Sequence, residues 1–499
     1  MTITKRSDLP DALYLAEQVR MLDQTAINQF HLPGFALMER AGTAAFNLLR
    51  ERWPQASNIT ILCGTGNNRG DGYVVARLAL EAGCNVQLLQ LGDSTKIAGH
   101  ARAHADRYRA IGGVVEPYES IDPDRDLIVD AVLGTGLERE VTGLWSDALE
   151  AVNQHAAPVL SLDIPSGLNS DSGGIMGAAI QADATITFIG LKRGMFSGEG
   201  PACCGEIAFD DLAIPGEVYG AVSSTTRKLQ WADYARKLRP RSRTQHKGQS
   251  GHLLLVGGDV GMLGAISIAG QAAMRTGAGL VSIATRREHA ALIASQRPEL
   301  MCHAVEKAAL LAPLLERADA VVIGPGLNKS DWSLTMLRRV LESGLPLVMD
   351  ADALNLLAGE PEIRDNWVLT PHPGEAGRLL GCSTATVQLD RFTAVTELQQ
   401  RYGGVILLKG AGTLIYGGDL IGLCSEGNPG MAVGGMGDLL SGIIGSLIVQ
   451  GESLREAACM GACLHARAAD LAARGGEKGM IAPDLLPFLR RLMNPECAE

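Results

Sequence analysis

Asp438 stands at the end of a glycine run, Gly434-Gly435-Met436-Gly437-Asp438, just ahead of an apolar helical stretch from Leu439 to Leu447. Small residues let backbone N–H groups approach an anion, and a helix N-terminus adds partial positive charge. An acid in the first helical turn can be a stabilising cap. Beside a phosphate-binding loop it can also take the proton of a substrate hydroxyl. Attack of that oxygen on a terminal phosphoryl group needs both such a base and a charge-stabilising cradle.

Further loops in the C-terminal half carry compatible groups. Val256-Gly257-Gly258-Asp259 leads through Met262-Leu263-Gly264-Ala265 into a small-residue helix read over 265–275, and Ile323-Gly324-Pro325-Gly326 follows another apolar run. Asp350-Ala351-Asp352-Ala353-Leu354-Asn355 offers two carboxylates and an amide. Thr370-Pro371-His372-Pro373-Gly374-Glu375 mounts a histidine between prolines, and Lys409-Gly410-Ala411-Gly412-Thr413 supplies a cation and backbone donors. Any one glycine loop reads equally well as a tight strand-to-helix turn. Several together favour a phosphate site.

In the N-terminal half, Gly64-Thr65-Gly66-Asn67-Asn68-Arg69-Gly70-Asp71-Gly72 lies between an apolar run and a helix read over 73–81. Its spacing is wrong for a dinucleotide fingerprint, and its amide and acid side chains exceed what a pyrophosphate turn needs. Leu133-Gly134-Thr135-Gly136-Leu137 and Asp163-Ile164-Pro165-Ser166-Gly167-Leu168 follow later strands. Asp130 reads as a cap or buried acceptor, whereas Asp163, between a strand end and a Pro-Ser-Gly turn, reads as catalytic.

The elements that must position these loops alternate. Residues 12–50 read as amphipathic helix. Strands are expected over 58–63, 85–91, 126–132, 158–163 and 184–189, then 252–256, 279–284, 320–323, 345–349 and 405–409, with helices or loops between them. Strands alternating with helices imply mainly parallel sheets covered on both faces. Ligands then bind where loops converge at the carboxyl ends of the strands. The rhythm breaks near 220–245. The fold class expected is therefore α/β in two domains, residues 1–225 and 226–499.

Composition agrees with that class. The chain has 499 residues, too many for one ordinary core. Sixty glycines and only 4% aromatics suit backbone-lined loops rather than stacking platforms for nucleic acid. A net charge of −11 gives no general attraction to nucleic acid or an anionic membrane. The local exception, Arg236 to Lys247 with Lys237, Arg239, Arg241 and Arg243, reads as a solvated linker or as a phosphate-contacting segment. Ten cysteines without a C-x-x-C pair indicate reduced thiols in a cytoplasmic protein, not a disulfide framework or zinc site. The charged residues of 1–20 exclude an apolar signal core. Residues 431–449 are apolar enough to suggest a membrane helix, but glycines 434, 435, 437 and 442 and the acid Asp438 favour a buried loop and helix.

His246-Lys247-Gly248, Gly257-Gly258-Asp259, Thr370 to Glu375, Lys409 to Thr413 and Gly435 to Asp438 resemble, in order and spacing, the ADP-dependent NAD(P)H-hydrate dehydratase family over roughly 227–495. The N-terminal motifs resemble the NAD(P)H-hydrate epimerase domain over roughly 11–217. The resemblance implies a Rossmann-like three-layer α/β/α domain followed by a ribokinase-like α/β domain. Asp163 would be the acid/base for epimerisation, and Asp438 the base for dehydration. Substrate contacts would come from Asn67, Asn68, Arg69, Gly70 and Asp71, from Gly134, Thr135, Gly136, Leu137, Glu138, Arg139 and Glu140, and from Ala265, Gly326 and His372. Lys409, Gly410, Ala411, Gly412, Thr413 and Gly437 would bind the nucleotide. Asn68, Asp130 and Ser166 would hold potassium (K+), and magnesium (Mg2+) would accompany ADP. NADHX and NADPHX would be the substrates, and a homo-oligomer is expected. Arg69 departs from the family's Asn-Asn-Gly-Gly-Asp-Gly run. The rival reading is a ribokinase-like vitamin kinase with a non-catalytic N-terminal binding domain.

Overall fold

The computed structural model describes residues 9–93 and 97–494; Cys497 and the charged residues Lys5, Arg6 and Asp8 lie outside them. The chain divides into two compact units, Met1–Arg227 and Lys228–Glu499.

The first unit opens with a short strand, β1 (Ala12–Tyr14), and two helices, Ala16–Asn28 and Gly34–Arg52. The single helical stretch expected over 12–50 is therefore a strand and two helices. Between the helices His31 takes a positive φ of 54°, and Pro33, in extended conformation, has no N–H with which a helix could run through it. Then come β2 (Asn58–Cys63), β3 (Asn85–Gln90), β4 (Val115–Pro117), β5 (Leu127–Ala131), β6 (Val159–Leu162), β7 (Ala184–Phe188), β8 (Leu191–Lys192), β9 (Glu206–Asp210) and β10 (Thr226–Leu229).

Seven of these form a sheet in the order β4-β3-β2-β5-β6-β7-β9, parallel throughout. Alternate side chains enter different cores, Ile59, Ile61 and Cys63 on one face and Leu62 on the other. The order reverses between β2 and β5, which opens a crevice at their carboxyl ends. β1 pairs in parallel with β8 and antiparallel with β10. Sequence reading overlooked the edge strands β4 and β9; Val115-Glu116-Pro117, for example, has no apolar run to read.

The second unit contains β11 (His252–Val256), β12 (Leu280–Thr285), β13 (Met301–Ala304), β14 (Ala320–Ile323), β15 (Leu347–Met349), β16 (Trp367–Leu369), β17 (Val405–Leu408), β18 (Thr413–Tyr416) and β19 (Ile421–Cys424). Their order is β13-β12-β11-β14-β15-β16-β17-β18-β19, parallel as far as β17 and antiparallel beyond it. One face is covered by helices Leu263–Thr276, Met436–Val449 and Leu454–Ala472.

The helix Met436–Val449 is apolar all round because it is enclosed, not because it spans a bilayer. At 14 residues it is about 21 Å long, short of a hydrocarbon core. Among the described residues no helix is long and apolar enough to cross a membrane. Gly442 lets this helix lie against its neighbour: a Cβ there would be 2.1 Å from the Ala269 carbonyl oxygen. We predict that Gly442→Leu destabilises the second unit by about 1–3 kcal/mol or more through overpacking. Thermal unfolding should show this as a lowered transition for that unit alone, and an unchanged melt would refute the packing argument.

Candidate active sites at the carboxyl ends of both sheets

In the first unit, the loop after β2 is shorter than the sequence suggests. The helix expected from Tyr73 begins at Asn68, so Asn68, Arg69, Gly70 and Asp71 form its first turns. Asn68 is fixed by its own amide, whose Nδ2 donates to the Leu162 carbonyl at 3.0 Å and to that of Leu133 at 3.2 Å. Its Oδ1 is buried with no hydrogen-bond donor facing it. Asp130, at the end of β5, is fully buried; Ser166 donates to it through Oγ (2.5 Å) and backbone N (2.8 Å), and Ser161 through Oγ (2.9 Å). Leu133 N donates to Ser166 Oγ at 2.7 Å, which ties the two later loops together. Arg69 is buried as well, and burial lowers its pKa, so its side chain belongs to the interior rather than to an open loop.

Asp163 sits immediately after β6 with a φ of 68°, a left-handed conformation that a non-glycine residue adopts at a cost of about 1–3 kcal/mol. Its N–H donates to Ile186 O at 2.7 Å, which holds the strained residue in place. The carboxylate pairs through Oδ1 with the ammonium of Lys192, a fully buried lysine that also donates to Thr187 Oγ1 (2.8 Å) and Phe188 O (3.2 Å). The other oxygen, Oδ2, faces the loop of Gly134: a Cβ on Gly134 would lie 3.9 Å from Oδ2 and 3.5 Å from Asn68 Cβ. Asn68, Gly134 and Asp163 thus converge. Burial, then the charges of Asp163 and Asp23, push Asp71 well above the usual carboxylate range, with Lys192 opposing. Glu138, Arg139 and Glu140 are exposed beyond this cluster.

In the second unit the loops are laced together. Gly258 N and Asp259 N donate to the carbonyls of Pro325 and Gly326. A Cβ on Gly326 would lie 3.2 Å from that of Ala265. The centre is an ion pair: Lys409 Nζ donates to the buried Asp350 Oδ1 at 2.7 Å, with Glu375 Oε2 at 3.8 Å. Burial works to lower the Lys409 pKa, but Asp350 and Glu375 outweigh it and the net shift is upward. Gly437 abuts the pair, since a Cβ there would be 3.2 Å from Lys409 Nζ and 3.3 Å from Asp350 Oδ2. Asp438 follows as the third residue of its helix, after the left-handed Gly435. Burial and then Asp350 raise the Asp438 pKa to about 6, against the opposing pull of Lys409. Glu375 rises to about 7, with burial again the largest cause.

His372 caps the helix Pro373–Leu380: its Nδ1 accepts from Gly374 N at 3.0 Å, and Glu375 Oε2 accepts from His372 N at 2.8 Å. Lys409 to Gly412 form a hairpin turn between β17 and β18 rather than a strand-to-helix loop.

Comparison with known proteins fits this layout. The NAD(P)H-hydrate dehydratase family matches residues 253–491, and the YjeF-related protein N-terminus family matches 34–194. The bifunctional NAD(P)H-hydrate repair enzyme of Coxiella burnetii is 49% identical over 97% of this chain and 99% of its own length. That of Escherichia coli K12 is 44% identical over 98% and 96%. The chain belongs to the bifunctional NAD(P)H-hydrate repair enzyme family. A ribokinase-like superfamily protein from Enterococcus faecalis, 27% identical, matches with a TM-score of 0.51 over 54% of this chain and 96% of its own. The second unit has that ribokinase-like fold.

Within this repair-enzyme chain, sequence reading missed Lys192 and Gln90. Buried Gln90 donates to the carbonyls of Cys63 and Gly64 at 3.2 and 2.7 Å, holding the start of the Asn67–Asp71 segment. The available signal was a polar residue directly after the apolar pair Leu88-Leu89 at the end of its strand. Within the basic stretch near 236–247, Arg236 pairs with Asp233, Lys237 with Glu456, and Arg241 donates to Gly277 O. All nine described cysteines are free. Cys424, Glu426 and Cys463 bring three ligand-type atoms within 4.8 Å of one another. Glu426 there accepts from Trp231 N, and burial raises the Cys463 thiol.

The raised Asp438 pKa has a stability consequence. Its folded value of about 6 lies above the ordinary 3.8, so ionising Asp438 costs stability as pH rises through that window. We expect Asp438→Asn to raise the unfolding temperature of the second unit at pH 8, by about 2–4 °C for each kcal/mol relieved. The difference should vanish below pH 4, where the parent carboxyl is already neutral. A variant less stable than the parent at pH 8 would contradict the assignment of Asp438 as a desolvated acid.

Proposed function

We propose that residues 1–225 epimerise the R and S hydrates of NADH and NADPH, and that residues 226–499 dehydrate the S hydrate at the expense of ADP. The carrying observation is the convergence of Asp438 on the Lys409–Asp350 pair beside Gly437 at a helix N-terminus. Full-length similarity to named bifunctional repair enzymes supports this over a vitamin kinase with an inert N-terminal domain. The thiols are all free among the described residues, which supports a cytoplasmic setting.

In the second unit, Asp438 takes the proton of the hydrate's hydroxyl as that oxygen attacks the terminal phosphoryl group of ADP. AMP leaves, and the phosphorylated hydrate then loses phosphate together with a proton from the neighbouring ring carbon, whose C–H electron pair restores the ring double bond. Hydroxide is a poor leaving group and phosphate a good one. A base with a pKa of about 6 is ionised at neutral pH yet remains basic enough to accept a proton. Lys409, with the backbone of Gly410, Ala411, Gly412 and Thr413 and that of Gly437, contacts the nucleotide, while Ala265, Gly326 and His372 line the hydrate's side. The neighbouring carboxylates Asp350 and Asp352 are hard oxygen donors that suit Mg2+, which neutralises phosphate charge when bound.

In the first unit, Lys192 holds Oδ1 of Asp163 and leaves Oδ2 facing Gly134 and Asn68, where it exchanges a proton with the hydrate. Asn67, Asn68, Asp71 and Thr135 supply polar contacts. Gly70, Gly134 and Gly136 let the backbone approach, Leu137 lends apolar contact, and Glu138, Arg139 and Glu140 form the outer edge. Arg69 contributes through its backbone, its side chain being buried. The donor chemistry fits K+: Asn68 Oδ1 faces no donor, Ser166 adds a hydroxyl oxygen, and buried Asp130 supplies negative charge.

A coupled assay separates the two activities. Incubation of S hydrate with ADP should regenerate the NADH absorbance band, and consumption of nucleotide without that band would refute dehydration. Asp163→Asn should abolish ADP-dependent turnover of pure R hydrate, apart from its slow spontaneous epimerisation, while S hydrate turnover stays within about twofold of the parent. Unchanged R turnover would remove Asp163 from the mechanism. Asp438→Asn should lower kcat on S hydrate by about 100-fold or more, the range of general-base catalysis.

A further inference from the structure

Arg391 opens the helix Arg391–Tyr402 and is completely buried. Among the described residues no carboxylate is its partner. Its guanidinium donates to the Gln388 amide oxygen at 3.1 Å and to three backbone carbonyls, those of Lys409 (3.3 Å), Leu408 (3.3 Å) and Gly412 (3.1 Å). Burial lowers its pKa, to about 10, so it remains a cation at neutral pH. A buried charge without a counter-charge is costly to maintain. Here the cost is offset only by the dipoles of a single turn and one amide.

That turn is Lys409 to Gly412, and the packing beneath it is close. Gly410 has a φ of 143°, and a Cβ there would stand 2.1 Å from Arg391 Nη1, so only glycine fits over the guanidinium. In a trans peptide the C=O of one residue and the N–H of the next point in opposite directions. Drawing the Lys409 carbonyl down to Arg391 therefore turns the Gly410 N–H outward. The Leu408 carbonyl is drawn down likewise, while Lys409 N donates to Pro371 O at 2.9 Å. Both ends of the residue that carries the site's ammonium are thereby pinned.

We propose that Arg391 is a positioning residue for the nucleotide. Its planar fork sets the turn so that the Gly410 N–H and the Lys409 ammonium face the diphosphate. Its otherwise unmatched charge lies directly beneath, where a bound anion supplies the missing counter-charge. The proposal rests on the reading that Lys409 to Thr413 hold ADP.

Steady-state kinetics on S hydrate test it through the two KM values. Arg391→Lys keeps a cation but loses the fork, and should raise KM for ADP about tenfold, a loss of roughly one good interaction. KM for the hydrate and kcat should stay within about twofold of the parent. Arg391→Ala should raise the ADP KM further, and added guanidinium ion should partly restore it by refilling the vacated site. Equal losses in both KM values, or no rescue, would make Arg391 merely structural and overturn the proposal. Failure of both variants to fold would overturn it too. Lys409→Met distinguishes the underlying reading. If it leaves the ADP KM unchanged, the turn is not the nucleotide site. If it raises that KM while Arg391→Lys does not, only the positioning role fails.

Discussion

Each unit depends on a lysine ammonium held against an aspartate at the carboxyl end of a parallel sheet. Lys192 meets Asp163 in the first unit, and Lys409 meets Asp350 in the second. A cation withdrawn from water needs a counter-charge and further acceptors. For Lys192 that demand recruits Thr187 and the Phe188 carbonyl as well as Asp163. For Lys409 it draws Asp350 and Glu375 toward one point. The loops that carry these acids come from different strands, so satisfying one charge brings several loops together. The left-handed backbone of Asp163 and of Ala351, next to Asp350, is where that convergence strains the chain.

In both clusters the acids are desolvated and outnumber the cations, and the protonation states follow. One ammonium cannot neutralise Asp350, Glu375 and Asp438 together. Burial above all, with Asp350 adding to it and Lys409 opposing, makes two of them titrate high, Asp438 at about 6 and Glu375 at about 7. In the first unit burial raises Asp71, the charges of Asp163 and Asp23 add to the rise, and Lys192 opposes it. Histidines are pushed the other way. His372 is lowered by burial and then by Lys409, and His465 falls to about 4 for the same two reasons. Their lowered pKa values make both imidazoles weaker proton acceptors, whereas the raised carboxylates gain basicity. A desolvated acid beside a single cation is how a fold places a base near neutrality.

Much of this was legible without coordinates. Strands such as Asn58–Cys63, buried from Ile59 onward, and Ala320–Ile323, buried throughout, are announced by their apolar runs. Edge and hairpin strands were harder. β4 contains Glu116 and Pro117, and β18 and β19 continue a sheet by antiparallel pairing that no helix interrupts. The helix at Asn68 begins five residues before the expected start, which lies late because Asn68, Gly70, Asp71 and Gly72 have weak helical preference. Their side chains and backbone are engaged by the crevice instead. Arg391 and Lys192 were invisible for a related reason: charged residues normally mark solvent, and only packing shows that these two are interior.

The sequence by itself determined the order of the loops, their glycines and their acids, because strand periodicity and turn chemistry are local properties. It also announced Gly434 to Asp438 as a place where a helix N-terminus meets an acid. Only the tertiary structure decided which distant residues share a site: that Asp438 answers to Asp350 and Lys409, that Asp163 is held by Lys192, and that Arg391 lies beneath Gly410. Such pairings join residues tens of positions apart. They arise because parallel strands deliver their carboxyl ends to one edge and a buried charge must find its partner there.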